Sequence, residues 1–254
     1  MAQHFMTRRF VQWVIGLSLL GCSLWSSAQS WSPVTGNDSP NLGGNSWTTQ
    51  FTAGDNTIWL PVGYSGLYKS MDFGSTWTPS NTGIDGRYIP IIGIENGNTS
   101  SYKIYALSRH HGLYVSASGG TNFKKISTVG IDGTDFGAFS ISGSRLLIGT
   151  RDCPQGCGIY YSDDQGATWT KSSGIPPAVW VNQIFGGSLA TTSAGIYKST
   201  DNGVTWNLVN VSGAPAMVST PGGPSGPHVR RINLNNTPGG SFYLASFASG
   251  GGVY

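Results

Sequence analysis

Ser162-Asp163-Asp164-Gln165-Gly166-Ala167-Thr168-Trp169 is an octapeptide that recurs along this chain, and its recurrence decides the fold. The pattern S-x-D-x-G-x-T-W is also found at Ser70–Trp77 and Ser199–Trp206, and a weaker copy lies at Ser116–Phe123. Short Ser and Asp side chains accept hydrogen bonds from their own backbone and close a turn, and Gly supplies a positive φ. The Thr-Trp pair starts a strand whose indole can be buried between neighbouring sheets. The predicted structural residues of these turns are Ser70, Asp72, Gly74, Trp77, Ser162, Asp164, Gly166, Trp169, Ser199, Asp201, Gly203 and Trp206.

The repeat extends beyond the octapeptide, because each copy is preceded by a Gly-hydrophobic-Tyr sequence. These tripeptides begin at Gly66, Gly112, Gly158 and Gly195, so they are 46, 46 and 37 residues apart. Such periods, with turn signals and short β-rich segments, indicate propeller blades. We therefore predict an all-β protein, a β-propeller of four-stranded antiparallel blades with about four complete blades and a partial fifth. The predicted blades are residues 47–84, 85–130, 131–174, 175–212 and, in part, 213–254.

The fifth copy begins at Gly252-Val253-Tyr254, 57 residues after Gly195, where the sequence stops. Closure is what removes exposed strand edges from a propeller, and a ring that ends inside a blade leaves such an edge. The expectation is that the sequence is a truncated piece of a longer protein. The alternative is that Trp47–Phe51 or a second chain completes the blade.

The N-terminal residues 1–28 have the features of a signal peptide: the basic pair Arg8-Arg9 and then an apolar run over Phe10–Leu20. Cleavage after Ala28 is favoured, whereas Leu19-Leu20-Gly21-Cys22 offers an alternative lipobox that would place a lipid anchor on Cys22. Either route predicts a bacterial protein that is secreted, periplasmic or at the cell surface, with no transmembrane span after signal removal. Residues 29–46 are rich in Ser, Pro, Gly and Asn, and are predicted to form an exposed lead-in.

The charge of the chain gives no indication of nucleic-acid binding. Only 10% of residues are charged, and removal of Arg8 and Arg9 lowers the formal balance from +3 to +1. The remaining Lys and Arg residues are scattered, and no basic cluster interleaves with aromatic residues. No phosphate-binding loop, dinucleotide fingerprint, nucleophile elbow or zinc-ligand spacing is present.

Two cysteines remain after signal removal, Cys153 and Cys157. In an oxidising compartment a small disulfide that closes this loop is the favoured interpretation. A metal site would need more ligands, and only Asp152 is close in sequence. We expect neither a metal nor a cofactor, although Asp-rich loops could hold Ca²⁺ incidentally.

The octapeptide resembles the Asp box of bacterial neuraminidase repeats, a family that includes sialidases, xyloglucanase-type glycoside hydrolases and sortilin-type receptors. The resemblance covers about Trp47–Tyr254 and implies a propeller in which the box is a structural turn. Sialidase machinery would require an arginine triad, a Tyr–Glu pair and an Arg-Ile-Pro sequence ahead of the first box. Here Arg87-Tyr88-Ile89-Pro90 matches that sequence only roughly and follows the first box, and Glu95 is the only Glu. Xyloglucanase-type enzymes resemble the chain more closely in repeat style, but their cleft is shared between two propellers.

The propeller topology sorts the loops onto two faces. The octapeptides are turns between third and fourth strands, so Asp72, Asp164 and Asp201 are predicted to be structural rather than catalytic. We call the opposite face, formed by the second-to-third turns and the links between blades, the open face. Its candidate ligand-binding residues are Tyr64, Arg87, Tyr88, Arg109, His110, His111 and Arg151, types that hydrogen-bond to sugars or stack on them. His110 and His111 are taken by default as solvent-exposed loop residues, and adjacent side chains in a strand-like segment would point apart.

Four carboxylates on the open face are weak catalytic candidates: Asp85, Asp132, Asp135 and Asp152. Asp85 and Asp132 each lie in a Gly-Ile-Asp-Gly sequence, where a turn-capping role is favoured over catalysis. Glycosidases need two carboxylates about 5–10 Å apart, and the sequence alone does not give these separations. We therefore predict an exported propeller that binds a glycan or protein without complete catalytic machinery. The alternatives are a fragment of a xyloglucanase-like or sialidase-like glycoside hydrolase, and a cell-surface structural or assembly factor.

Overall fold

The computed structural model describes residues 51–52, 55–62, 64–97, 101–117, 119–153, 156–209, 229–234 and 242–246. All of them belong to the compact unit Gly36–Tyr254. Within these ranges the regular structure is β-sheet, with no helix, and hence no helix long and apolar enough to cross a membrane. The predicted signal peptide, Cys22, the lead-in and Gly252–Tyr254 lie outside the described residues.

Sixteen strands form four antiparallel sheets of four strands each. Sheet 1 contains β1 (Phe51–Thr52), β2 (Ile58–Val62), β3 (Gly66–Ser70) and β4 (Thr78–Pro79). Sheet 2 contains β5 (Ile91–Glu95), β6 (Lys103–Ser108), β7 (Gly112–Ser116) and β8 (Lys124–Lys125). Sheet 3 contains β9 (Asp135–Ser142), β10 (Arg145–Asp152), β11 (Ile159–Ser162) and β12 (Thr170–Lys171). Sheet 4 contains β13 (Val181–Phe185), β14 (Leu189–Thr192), β15 (Gly195–Lys198) and β16 (Asn207–Leu208).

A fifth, two-stranded sheet is formed by β17 (Val229–Leu234) and β18 (Phe242–Ser246). Its first strand, β17, lies beside β13 and β14 of sheet 4. Phe51 pairs with Trp59 as the first strand of sheet 1. Phe51 therefore belongs to sheet 1, whereas residues 47–50 of the stretch that was considered for a fifth blade lie outside the described residues.

Three hydrophobic clusters lie between consecutive sheets and repeat the same arrangement. Each includes, from the following sheet, at least one residue of the second strand, a Tyr of the third strand and the aromatic residue that ends the octapeptide. These trios are Ala106, Tyr114 and Phe123; Ile148, Tyr160 and Trp169; and Ala190, Tyr197 and Trp206. Because side chains alternate along a strand, Ile148 faces sheet 2 while its neighbour Leu147 faces sheet 4. The core is thus a row of inter-sheet layers.

The octapeptides close their turns by side-chain hydrogen bonds. In the third copy the Ser162 hydroxyl donates to Asp164 Oδ1 (2.7 Å) and accepts from the Gly166 amide (2.7 Å). The Thr168 amide and hydroxyl donate to the two Asp164 carboxylate oxygens (2.9 and 2.6 Å). These donors lower the pKa of Asp164 to about 2, and equivalent donors do the same for Asp72 and Asp201.

The sequence pattern predicts strands over Ala138–Ser142 and Arg145–Thr150, and the structure extends both. β9 begins at Asp135, and β10 ends at Asp152. The β9–β10 register shifts around Thr150, and beyond this irregularity Asp152 pairs with Asp135. The fourth strands are only two residues long, and each begins directly after the aromatic residue that ends its octapeptide.

Candidate ligand-binding face

A stacked pair of tyrosines lies on the open face. Tyr64 is in the β2–β3 turn and Tyr88 is in the link from β4 to β5. Their ring centroids are 4.6 Å apart with an interplanar angle of 17°. Tyr64 is 72% exposed, so the pair offers an aromatic surface to solvent. Such a surface can stack on the apolar face of a ligand ring.

Arg109 borders this pair and connects sheets 2 and 3. Its guanidinium lies 5.6 Å from the Tyr88 ring centroid, and its amide donates to the Tyr88 carbonyl (3.0 Å). The same guanidinium donates two hydrogen bonds to Asp135, Nε to Oδ1 (2.6 Å) and an Nη to Oδ2 (2.7 Å). This bidentate pairing raises the pKa of Arg109 above its ordinary value. Asp135 is therefore held in an ion pair and supports Arg109 beside the tyrosines.

Asp85 is exposed, and its hydrogen bonds fit the turn interpretation. The Tyr114 hydroxyl donates to Asp85 Oδ2 (3.2 Å), and the Ser108 hydroxyl donates to the Asp85 carbonyl (3.1 Å). Burial, and then the negative charge of Asp85, raise the pKa of Tyr114 to about 12. The next residue, Gly86, has φ +73°, and a Cβ there would collide with the His111 ring. The turn is therefore fixed against sheet 2.

His110 and His111 lie in the turn between β6 and β7, and both are exposed. The His111 amide donates to the Ser108 carbonyl (3.2 Å), which closes this turn. His111 Nδ1 lies 3.4 Å from Ser108 Oγ, so this ring rests against the Asp85 turn. His110 and Arg87 are exposed. The described geometry brings His110 to the open face without joining it to the tyrosine pair.

A second aromatic and arginine pair lies between sheets 3 and 4. The Arg151 guanidinium is 5.8 Å from the ring centroid of Trp180, a residue that the sequence reasoning missed. Trp180 has the same position in sheet 4 as Tyr88 has in sheet 2. The carbonyl of each accepts a hydrogen bond from the residue that follows the second strand, Ser193 or Arg109. An alignment of the repeats around the links between sheets would have identified Trp180 as the counterpart of Tyr88.

The Cys153–Cys157 disulfide is present, with the two Cα atoms 5.1 Å apart. The Cys157 amide donates to the Pro177 carbonyl (2.6 Å), in the link that leads to Trp180. On the other side, a Cβ at Gly133 would lie 2.6 Å from the Asp152 carbonyl oxygen. The loop closed by the disulfide therefore contacts two neighbouring segments. One is the turn that contains Asp132, and the other is the link that leads into sheet 4.

The candidate carboxylates lie in different surroundings, and only two of them are paired in the same sheet. Asp135 and Asp152 are directly opposite each other in the β9–β10 register, so their side chains share one face of sheet 3. Asp85 is hydrogen-bonded within sheet 2 and Asp132 is partly buried. Glu95 lies toward the octapeptide face, where it accepts from Lys103 (3.3 Å) and Tyr105 (2.8 Å). Among the described residues, no group of three or more His, Cys, Asp or Glu could hold a metal ion.

Comparison with known proteins gives the fold. No family model and no curated protein matches the sequence. Among solved structures, an ancestral GH74 enzyme is 18% identical with a TM-score of 0.56, over 77% of this chain and 26% of that chain. The GH74 xyloglucanase from Xanthomonas campestris is 18% identical with a TM-score of 0.57, over 80% of this chain and 35% of that chain. The chain thus spans about a quarter to a third of these proteins. At this identity the likeness shows the fold alone, and the four sheets are those of a β-propeller.

Proposed function

We propose that this chain is an exported Asp-box repeat β-propeller that binds a glycan through its open face and lacks complete catalytic machinery. The observation that carries the proposal is the Tyr64–Tyr88 stack, whose outer ring is 72% exposed. An exposed aromatic ring next to charged hydrogen-bonding groups is the usual chemistry of a sugar-binding surface. Arg109 supplies these groups together with Asp135, and the charges of these two side chains balance in their bidentate pairing.

The remaining parts of the proposal have separate supports. The Ser-Asp-Gly-Thr hydrogen bonds of the octapeptides support the Asp-box identity. A disulfide in a chain that begins with a basic and then an apolar segment supports export. The proposed extents are residues 1–28 for the signal peptide, 29–46 for the lead-in and 47–254 for the propeller.

Affinity electrophoresis in gels that contain soluble polysaccharides, followed by calorimetry with matching oligosaccharides, tests glycan binding. We expect retardation by at least one polysaccharide, and we expect Tyr64→Ala to weaken the affinity by about tenfold, or about 1.4 kcal/mol. The matched control is Phe73→Ala, because Phe73 is an aromatic residue that is 80% exposed in an octapeptide turn, away from the open face. Equal losses in the two variants, or no binding across the panel, would refute the proposal.

A second function, glycoside hydrolysis, is favoured by one observation. Asp135 and Asp152 face the same side of sheet 3 as register partners, and paired carboxylates are what glycosidases use. The ion pair between Asp135 and Arg109 argues against it, because that carboxylate is already engaged. Release of reducing ends from the same polysaccharides, abolished by Asp152→Asn, would replace the binding proposal with this one.

A further inference from the structure

Two aromatic residues have equivalent positions on the open face. Tyr88 lies in the link that leads into β5, and Trp180 lies directly before β13. The carbonyl of Tyr88 accepts from the Arg109 amide (3.0 Å), and the carbonyl of Trp180 accepts from the Ser193 amide (2.9 Å). An arginine guanidinium lies beside each ring, that of Arg109 at 5.6 Å from the Tyr88 centroid and that of Arg151 at 5.8 Å from the Trp180 centroid. Sheets 2 and 4 therefore each begin with an aromatic ring that has an arginine next to it.

Asp135 has the corresponding position in sheet 3, between these two rings. It is the first residue of β9 and lies opposite Asp152 of β10. Its carboxylate accepts two hydrogen bonds from the Arg109 guanidinium of sheet 2 (2.6 and 2.7 Å). At the starts of sheets 2, 3 and 4 the open face thus has an aromatic ring, a carboxylate and a second aromatic ring.

Arg151 continues this series from sheet 3 to sheet 4. The β9–β10 register passes over one residue on each strand at this point, Gly137 and Arg151, and such irregularities redirect side chains. A Cβ at Gly137 would collide with the aliphatic part of the Arg151 side chain. Because residue 137 is a glycine, the Arg151 side chain can lie over β9 with its guanidinium beside Trp180.

The charges along this series balance. Two arginines, Arg109 and Arg151, lie among two aspartates, Asp135 and Asp152, so the formal charges of these four residues cancel. A strongly charged polymer would gain little from such a surface. Guanidinium groups donate hydrogen bonds and carboxylates accept them, so both can bind the hydroxyl groups of an uncharged sugar.

We propose that the open face carries one extended binding track for a neutral, linear polysaccharide, whose sugar rings stack on aromatic residues at both ends and whose hydroxyl groups bind the charged residues between them. This inference rests on the glycan binding proposed above and specifies the class of glycan. The track consists of Tyr64, Tyr88, Arg109, Asp135, Arg151 and Trp180.

The two ends of the track are too far apart for one sugar unit. Packed sheets lie ~10 Å apart, and about two such steps separate Tyr88 in sheet 2 from Trp180 in sheet 4. A single sugar ring is smaller than one step, so it contacts one end only. A chain of several sugar units is needed to contact both.

The first arm of the test compares chain lengths and needs no variant of the protein. In affinity gels, galactomannan and mixed-linkage β-glucan are the neutral probes, and polygalacturonate is the charged one. A disaccharide and a hexasaccharide from the neutral polysaccharide that retards the protein most are then titrated by calorimetry. We expect the hexasaccharide to bind about a hundredfold more tightly, because contact at one end raises the effective concentration of the chain at the other. Equal affinities for the two lengths would refute the track and would leave glycan binding at the tyrosine pair in place.

The second arm removes the far end of the track. Trp180→Ala is expected to weaken hexasaccharide binding by about tenfold and to change disaccharide binding far less, because the exposed Tyr64 ring remains. Phe73→Ala is again the matched aromatic control and should change neither affinity. Unchanged hexasaccharide binding in Trp180→Ala, or equal losses for both lengths, would contradict a separate contact at Trp180. Retardation by polygalacturonate alone would refute the neutral class but not glycan binding, whereas retardation by no polysaccharide would refute both proposals.

Discussion

At the scale of single residues, the octapeptide aspartates are the clearest case of a charge used for structure. Asp164 accepts from one backbone amide and two hydroxyl groups within its own turn. All of these donors stabilise the ionised carboxylate, so the pKa of Asp164 falls from 3.8 to about 2. Asp72 and Asp201 have the same pKa of about 2, for the same reason. A carboxylate with a pKa of about 2 stays ionised near neutral pH, so it is unsuited to act as a general acid.

These pKa values predict how stability depends on pH. The folded-state pKa lies below the unfolded value, so the stabilisation is complete above about pH 4 and is lost as the pH falls toward 2. We expect the urea midpoint to stay level from pH 7 to 5 and to fall between about pH 4 and 2. Asp164→Asn should make this fall shallower, and Asp152→Asn controls for the loss of one exposed carboxylate. A slope unchanged by Asp164→Asn would contradict the assignment.

The sequence pattern predicted these turn hydrogen bonds, but not where each indole donates. The Trp77 and Trp206 indoles donate to the glycine carbonyls of their own turns, Gly74 and Gly203 (3.0 Å each). The Trp169 indole instead donates to Ser127 in the preceding link (2.7 Å). The three octapeptides match the same pattern, so the difference arises from the neighbouring sheet and is not contained in the octapeptide.

At the scale of elements, the octapeptide tryptophans differ in burial according to whether the described chain places a sheet before their own. Trp206 is 1% exposed because it packs into the layer between sheets 3 and 4. Trp77 occupies the same position in sheet 1 but is only partly buried. Leu60 and Tyr68, the other members of its trio, are partly buried too, whereas their counterparts in sheets 2 to 4 are buried. The face of sheet 1 that carries Leu60, Tyr68 and Trp77, its leading side, is thus less covered than the corresponding faces of sheets 2 to 4.

This difference predicts unequal costs for the same substitution. Trp206→Ala should lower the free energy of unfolding by about 3–5 kcal/mol, because it leaves a large cavity in the core. Trp77→Ala should cost clearly less, since solvent already reaches that ring. Urea denaturation followed by circular dichroism measures both. Equal costs would mean that sheet 1 is covered in solution as completely as sheet 4.

The strands could be predicted from the repeat, whereas the contacts between residues of the open face could not. The Gly-hydrophobic-Tyr tripeptides mark the start of the third strand of each of the four sheets to within one residue. The Tyr64–Tyr88 stack and the Arg109–Asp135 ion pair join residues that are 24 and 26 positions apart in different sheets. Such pairs depend on how sheets pack side by side, which local periodicity does not specify.

At the scale of the whole molecule, the four sheets form a row in which each sheet packs against its sequence neighbours. In such an arrangement, stability is approximately the sum of each unit and its nearest-neighbour interfaces. Sheets 2 and 3 have described hydrophobic layers on both faces. Sheet 1 has such a layer on one face, the side of Trp59 and Leu67. The spacing of the repeat predicted about four complete blades and a partial fifth, but not this inequality between the sheets.

The inequality should appear as a gradient in amide hydrogen exchange. β2, β6 and β10 are the second strands of their sheets and have hydrogen-bonded neighbours on both edges, so they differ mainly in coverage of their faces. We expect amides of β6 and β10 to exchange about tenfold more slowly than those of β2, equivalent to about 1.4 kcal/mol of local stability. Mass spectrometry of peptic fragments measures the three strands in one experiment, with the exposed strand β8 as the fast reference. Equal protection of β2 would contradict the nearest-neighbour account, because it would mean that the leading side of sheet 1 is covered in solution. Slower exchange in β6 and β10 would show that a sheet gains its stability from having both faces packed.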